Sequence, residues 1–172
     1  MPIISEETIK LLNNHLNEEH YSANLYFNMA GWCSKQGLKG CASFLNNHSA
    51  EEHTHLEKLN EFIKKVDGQP VMGAMKEPEH SFSSAEEVFE KIVKHEQYIT
   101  SLIKKLVEKA MDDKDYITLK FLDWFVNEQL EEENLFNDIM DKIKILGDLK
   151  GRSLYEFDKF MDNLDKEEHN KN

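Results

Sequence analysis

The sequence predicts an all-α protein: a four-helix bundle with a long crossover between its second and third helices and a short fifth helix at the C-terminal end. Two observations predict this fold. Four long segments carry core-type residues at alternating spacings of three and four, which is the period of one helical face. Residues that interrupt helices gather in one connection, where Gly68, Pro70, Gly73 and Pro78 lie within residues 66–81.

The first two segments read as long amphipathic helices. The first spans about residues 5–34, with Ser5 as its N-cap, and the second spans about residues 38–66 and ends before Gly68. The core-facing stripe of the first comprises Leu12, Leu16, Glu19, Ala23, Tyr26 and Ala30. That of the second comprises Cys41, Leu45, His48, Glu52, His55, Leu59, Phe62 and Val66.

The next two segments repeat the pattern. The third spans about residues 84–111, and Ser84 with Glu87 forms a capping box at its start. The fourth spans about residues 114–146 and stops at Gly147. Their stripes comprise Ala85, Phe89, Ile92, Glu96, Ile99, Ile103, Leu106 and Ala110, and Leu122, Phe125, Gln129, Glu132, Phe136, Ile139, Ile143 and Leu146. Four such faces can enclose one core.

The lengths of the connections predict the directions of the helices. The first and second helices, and likewise the third and fourth, are joined by a few residues, so each pair forms an antiparallel hairpin. Residues 67–83, between the second and third helices, could span roughly 55 Å when extended, whereas a helix of this size is roughly 42 Å long. The second and third helices can therefore lie parallel, joined by this crossover.

A fifth helix follows the bundle. It begins with a second capping box, formed by Ser153 and Glu156, and ends before Lys166. We assign residues 1–165 to one domain, because 172 residues suffice for one core, and residues 166–172 to a polar tail that we expect to be disordered.

Composition excludes several classes of function. A net charge of −12 and a pI near 5.1 argue against a nucleic-acid partner, because binding of phosphate needs a basic patch. Two cysteines, Cys33 and Cys41, are too few for a disulfide scaffold, and we expect them to have no redox role. Residues 1–10 lack the apolar centre of a signal peptide, and no segment is apolar enough for a membrane span. We therefore expect a cytoplasmic protein that makes no contact with a membrane.

Each core stripe is apolar at both ends and polar in its middle. The polar members are Glu19 in the first helix, Glu52 and His55 in the second, Glu96 in the third, and Gln129 and Glu132 in the fourth. Each lies near the midpoint of its helix. A bundle of equal-length helices therefore brings all six to one level of the core.

Four buried carboxylates need compensating positive charge, because desolvation disfavours each charged form and like charges repel. Two divalent cations provide four positive charges, and carboxylates with an imidazole suit iron or manganese. Glu52 and His55 also form the Glu-x-x-His spacing of di-metal bundle proteins. A packing defect or a satisfied core histidine would explain one such residue, but not four acids at one level.

Three runs of the sequence resemble the prokaryotic non-haem ferritins. The runs are Asn17–Ala23, Ala50–His55 and Asn127–Glu133, with Trp124 just ahead of the last. The resemblance covers essentially the whole chain, including the fifth helix. It implies a ferritin-like fold and a ferroxidase that oxidises Fe(II) to Fe(III) with dioxygen or peroxide. It also implies iron storage, as ferric mineral inside a homo-oligomeric shell of twenty-four subunits.

The resemblance also implies roles for individual residues. The implied ligands are Glu19, Glu52 and His55 for one iron, and Glu52, Glu96 and Glu132 for the other. Gln129 stands where bacterioferritins carry a second Glu-x-x-His region, so we expect two unequal iron sites. A third iron site would use Glu51, Glu128, Glu131 and Glu132, although a solvated acidic helix face is the alternative. Tyr26 either donates an electron or a hydrogen bond near the irons or is a plain core aromatic.

Other positions carry weaker expectations. Bacterioferritins bind haem through a methionine just after the bridging glutamate; His53 stands there in this chain, so we expect no haem. Trp124 either reports on the metal site or only packs. We expect five further histidines to be exposed: His15, His20, His80, His95 and His169. Two other functions remain open: a di-iron oxidase with an apolar substrate pocket beside the metals, and a metal-free helical interaction module.

Overall fold

The computed structural model describes residues 3–170 and contains five α-helices. They are α1 (Glu6–Lys35), α2 (Lys39–Lys65), α3 (Ala85–Asp112), α4 (Tyr116–Leu146) and α5 (Arg152–Asn170). The first four begin and end within two residues of the predicted segments. The described part of the chain has no β-strand, and none of its helices has a stretch apolar enough to span a lipid bilayer.

The predicted N-caps of α1 and α3 are confirmed. The hydroxyl of Ser5 accepts a hydrogen bond from the backbone N–H of Thr8 at 3.1 Å, and Ser84 accepts one from Glu87 at 3.1 Å. The carboxylate of Glu87 bonds to the backbone N–H of Ser83 at 2.6 Å instead of completing the box at Ser84. Both helices therefore begin where the side-chain acceptor satisfies a free N–H group.

The predicted core stripes are buried throughout, except that Leu146 is half-buried. Their apolar members form two clusters. One joins the N-terminal halves of α1 and α4 to the C-terminal halves of α2 and α3, and the other joins the opposite halves and α5. Because α2 and α3 contribute the same ends to each cluster, they lie parallel, and α1 and α4 are antiparallel to them. The predicted crossover topology is confirmed.

Two asparagines of α1 hold the crossover against the bundle. Asn13 donates to the carbonyl of Gln69 at 3.0 Å and accepts from the N–H of Val71 at 2.7 Å. One turn later, Asn17 donates to the carbonyl of Val71 at 2.8 Å and accepts from the N–H of Gly73 at 2.7 Å. These side chains satisfy backbone groups that an irregular segment cannot pair within itself.

We expect replacement of Asn17 by alanine to lower the free energy of unfolding by about 1–2 kcal/mol, because it removes two side-chain hydrogen bonds to the crossover. Amide hydrogen exchange at Gly73 should accelerate at the same time. Asn14→Ala is the matched control, since Asn14 is an exposed asparagine of the same helix. Equal stability and equal exchange in the two variants would contradict this function of Asn17.

Helix α5 packs across the start of α2 through two aspartates. The carboxylate of Asp158 accepts from the backbone N–H groups of Gly40 and Cys41, at 3.1 and 2.8 Å. It thereby caps α2, whose own N-cap residue makes no side-chain hydrogen bond. The buried Asp165 accepts from Ser43 at 2.7 Å and from Asn47 at 2.8 Å. The apolar face of α5 therefore lies against its own bundle.

The predicted capping box and the predicted C-terminal end of the fifth helix were wrong. The helix begins at Arg152, so Ser153 lies inside the first turn, where its hydroxyl bonds to the carbonyls of Asp148 and Lys150. It continues to Asn170 because Asp165 ties its last turns to α2. Residues 166–170 of the predicted tail are therefore helical, and residues 171 and 172 lie outside the described part of the chain.

Candidate metal centre

A polar layer separates the two apolar clusters at the middle of the bundle. Its predicted members have at most 8% of their surface exposed, and they are Glu19, Glu52, His55, Glu96, Gln129 and Glu132. One or two of them come from each of the four long helices. The predicted convergence of these six side chains is therefore observed.

The first group of possible metal ligands comprises Glu19 from α1 and Glu52 and His55 from α2. One ligand atom from each lies within 4.8 Å of the others. The Nδ1 atom of His55 is 3.0 Å from Oε2 of Glu52 and 3.6 Å from Oε2 of Glu19. The spacing of three residues places both α2 side chains on one helical face, as the Glu-x-x-His pattern requires.

A second group comprises His48, Glu51 and Glu132, whose ligand atoms also lie within 4.8 Å of one another. Nε2 of His48 is 2.9 Å from Oε2 of Glu132. His48 belongs to the predicted core stripe of the second helix, but no role at the site was predicted for it. Its position four residues before Glu52, on the same face, was the signal that could have identified it.

The carboxylate of Glu96 is held by two neutral donors. The hydroxyl of Tyr26 donates to its Oε1. The amide of Gln129 donates to its Oε2 at 2.7 Å and to its backbone carbonyl at 3.1 Å. Tyr26 therefore contacts a predicted ligand instead of being a plain core aromatic, and the amide nitrogen of Gln129 faces Glu96.

The residues predicted for a third iron site do not all lie together in the structure. Glu51 and Glu132 lie together in the second group. Glu128 is half-buried, with its carboxylate 3.6 Å from Nε2 of His55. Glu131 is exposed and belongs to neither group of the described residues.

The charges of Glu19 and Glu52 are coupled. Burial, and then the negative charge of Glu19, raise the pKa of Glu52 well above its usual value. Burial alone would also raise the pKa of Glu19, but the adjacent His15, with help from His55, holds it well below its usual value. The two carboxyl groups therefore lose their protons at well-separated pH values, Glu19 before Glu52.

A second coupled pair lies across the layer. Burial would lower the pKa of His48, but the carboxylate of Glu132 raises it to about 9. In return, His48 lowers the pKa of Glu132 against the effect of burial. Burial and the charge of Glu132 raise the pKa of Glu96 to about 7.

Protons compete with metal ions for the ligands of this layer. Although burial would lower the pKa of His55, the surrounding carboxylates, beginning with Glu128, raise it. The raised pKa values of His48 and His55 favour their protonated, positively charged forms beside Glu132 and Glu19. Since histidine binds a metal only in its neutral form, metal ions must displace these protons. The donor set therefore fits divalent cations, which replace the protons as counter-charge.

Three of the histidines predicted to be exposed are not. His15 is completely buried. Its Nε2 atom lies 2.9 Å from Oε1 of Glu19, but neither ring nitrogen makes a hydrogen bond of good geometry. His20 and His95 are half-buried. For His15 and His20 the prediction failed because the buried face of α1 is wider than a stripe of single residues. His95 lies on α3, where it packs against Tyr21 and Tyr26 of α1.

Two further side-chain predictions concern aromatic and sulfur groups. The ring of Trp124 lies 5.2 Å from that of His55, and the exposed fraction of Trp124 is 37%. It therefore contacts a candidate ligand and can report on it.

Cys33 and Cys41 are buried in one apolar cluster.

Comparison with known proteins identifies the family. The family model described as "Ferritin-like domain" matches residues 9–146. The chain belongs to the ferritin family. The chain is 44% identical over 162 residues to the "Probable bacterial non-heme ferritin-like protein" of Haemophilus influenzae, covering 94% of this chain and 98% of that protein. It is also 44% identical to the "Bacterial non-heme ferritin" of Campylobacter jejuni, with coverage of 94% and 96%.

The fold agrees with that of solved ferritins. The open pore ferritin of Archaeoglobus fulgidus superposes with a TM-score of 0.90 at 37% identity, covering 94% of this chain and 98% of that chain. This ferritin chain therefore has the fold that the helical stripes and the crossover predict.

Proposed function

We propose that this ferritin is an iron-storage ferroxidase. It oxidises Fe(II) at the buried centre and deposits Fe(III) as mineral inside a homo-oligomeric shell. The observation that carries this function is the group of Glu19, Glu52 and His55, buried between two apolar clusters with its ligand atoms within 4.8 Å. Carboxylate and imidazole donors suit iron. The names of the similar proteins, which are bacterial non-heme ferritins, support the same function.

Fe(II) is the substrate, and the reaction transfers electrons. Two Fe(II) ions each lose one electron, and dioxygen takes up two electrons and two protons to become hydrogen peroxide. Peroxide can in turn oxidise two more Fe(II) ions and, with two protons, become water. The ligands that we assign are Glu19, Glu52 and His55 to one ion and Glu52, Glu96 and Glu132 to the other. Oε2 of Glu132 bonds to His48, which leaves its Oε1 to bind this ion.

The second ion would be held less tightly than the first. Its proposed ligands include no histidine, and Gln129, which stands beside it, directs its amide nitrogen at Glu96. Weak binding suits release into storage after oxidation. Glu51, which lies beside Glu132, would form the third iron site predicted from the sequence, together with Glu128 and Glu131. Tyr26 and Gln129 orient Glu96, and the buried phenol of Tyr26 remains protonated because burial and the charge of Glu96 raise its pKa.

We further propose a shell of twenty-four copies in the cytoplasm, with neither haem nor nucleic acid bound. The exposed large apolar side chains of the chain provide surface that contacts between copies would bury. They include Phe27, Val71, Met72, Tyr116, Ile117 and Ile145. The position that carries a haem-binding methionine in bacterioferritins is the exposed His53.

Iron loading tests the proposed function. We expect the apoprotein, titrated with Fe(II) in air, to take up far more than two irons per chain while remaining a large particle by light scattering. The absorbance of Fe(III) measures how much Fe(II) has been oxidised. Uptake that ends at two irons per chain would indicate a di-iron oxidase instead. A monomer that binds no Fe(II) without oxygen would indicate a metal-free interaction module.

A further inference from the structure

His15 is a buried polar side chain without a satisfactory partner. None of its surface is exposed, and neither ring nitrogen makes a hydrogen bond of good geometry. One edge of the space around it is apolar, because the Phe125 ring stands at 81° to the imidazole with 5.6 Å between ring centres. The polar group that lies close to it is the carboxylate of Glu19, at 2.9 Å from Nε2.

The two oxygens of Glu19 face different neighbours. Oε1 lies 2.9 Å from Nε2 of His15, one helical turn earlier on α1. Oε2 lies 3.6 Å from Nδ1 of His55, within the first group of candidate ligands. One oxygen of the carboxylate therefore faces a histidine outside the group, and the other faces the proposed metal position inside it.

We propose that His15 is a positioning residue, which holds Oε1 of Glu19 through a ring N–H and leaves Oε2 to bind the first metal ion. This inference rests on the proposed metal centre and concerns how that centre is organised. A carboxylate that ligates a metal is commonly held by a hydrogen bond to its other oxygen, which fixes its orientation. A closed His15–Glu19 hydrogen bond would also satisfy a ring nitrogen that otherwise has no partner.

Two variants separate the hydrogen bond from the packing of the imidazole. His15→Leu fills the apolar surroundings but removes the N–H donor. His15→Gln keeps a donor four residues before Glu19, where an amide and a carboxylate meet on a helix. If His15 positions Glu19, His15→Leu should weaken binding of the first metal ion about tenfold or more, and His15→Gln should restore most of it.

The measurement is titration of the full-length apoprotein with Co(II) under anaerobic conditions, where this stand-in for Fe(II) binds without being oxidised. Visible absorption gives the affinity. Quenching of Trp124, whose ring contacts that of His55, reports binding in the first group. The other tryptophan, Trp32, packs on Phe82 in an apolar cluster and provides an internal reference.

Stability of the apoprotein separates positioning from a structural role. Replacing a buried, unsatisfied histidine with leucine should leave the melting temperature of the apoprotein unchanged or higher. Weaker binding of Co(II) in a stable His15→Leu variant, with recovery in His15→Gln, supports the proposal. Unchanged affinity in His15→Leu would overturn it, and so would equal losses in both variants, because the donor would then be irrelevant.

The Glu19→Ala variant distinguishes this inference from the function on which it rests. Loss of Glu19 should weaken binding of the first Co(II) ion whether or not His15 acts on it. If Glu19→Ala binds Co(II) normally, the proposed centre itself is wrong. A crystal structure of the Co(II)-loaded protein should show Glu19 bound through Oε2 alone; a cobalt–nitrogen bond to His15, or both oxygens of Glu19 on the metal, would overturn the positioning role.

Discussion

Replacement of Glu52 by alanine is expected to lower the rate of Fe(II) oxidation at least about 100-fold. Mutation of a residue that only hydrogen-bonds to a metal ligand can already lower activity by up to about 100-fold, and loss of a ligand should cost at least as much. Glu52 is the residue proposed to bind both ions, and it is 3% exposed with His55 at 3.0 Å. Alanine offers no oxygen, so neither ion keeps its full set of ligands. The initial rate of Fe(III) formation, measured by stopped-flow absorbance under air, tests this expectation.

Two further variants show whether such a loss belongs to the site. Glu57→Ala removes an exposed glutamate from the same helix and should oxidise Fe(II) at the normal rate. Glu52→Gln keeps the volume of the side chain but replaces a carboxylate with a neutral amide, so it should also be slow. Normal oxidation by Glu52→Ala in a correctly assembled protein would place the reaction elsewhere.

Replacement of Gly40 by alanine is expected to destabilise the protein by about 3 kcal/mol, near the upper end of the usual effect of overpacking. A Cβ atom at this position would lie 2.0 Å from the backbone oxygen of Asp158 and 2.9 Å from the backbone nitrogen of Asp162. Both are backbone atoms of α5, so the helix must move. Its movement also removes the cap that Asp158 provides for α2.

The matched control is Gly31→Ala in α1. A Cβ atom there meets nothing within 4 Å, and alanine in a helix interior is favoured over glycine by about 0.5–1 kcal/mol. Chemical denaturation should therefore shift in opposite directions for the two variants. Equal midpoints would show that α5 does not pack tightly on α2. Light scattering of the Gly40→Ala variant then shows whether assembly depends on the packing of α5, because a smaller particle would indicate that it does.

Oxidation should survive in Gly40→Ala wherever the bundle still folds. Gly40 and α5 border the apolar cluster on one side of the polar layer, whereas Glu19, Glu52 and His55 lie between the two clusters. Comparison of Glu52→Ala with Gly40→Ala thus separates the chemistry of the centre from the stability of the fold.

Periodicity predicted the residues that face the core with few errors. A spacing of three or four residues is a property of one helix, so the stripe of each helix could be read without knowledge of its neighbours. The same reasoning placed Glu19, Glu52 and Glu96 at one level. The prediction that His15 is exposed was wrong, because the stripe predicted for the first helix left out a neighbouring row of buried residues on the same helix. Periodicity left His48 without a role, because its partner, Glu132, lies on another helix.

The helices, the crossover and the level at which the acids meet could be predicted without coordinates, because they follow from spacing, caps and connection lengths within single segments. The contacts between individual atoms could not be predicted in this way: Oε1 of Glu19 lies next to His15, Glu132 bonds to His48, and Glu96 accepts from Tyr26 and Gln129. A helical position specifies a face and a height. The partner of each oxygen depends on how four helices pack around it, and no single segment contains that information.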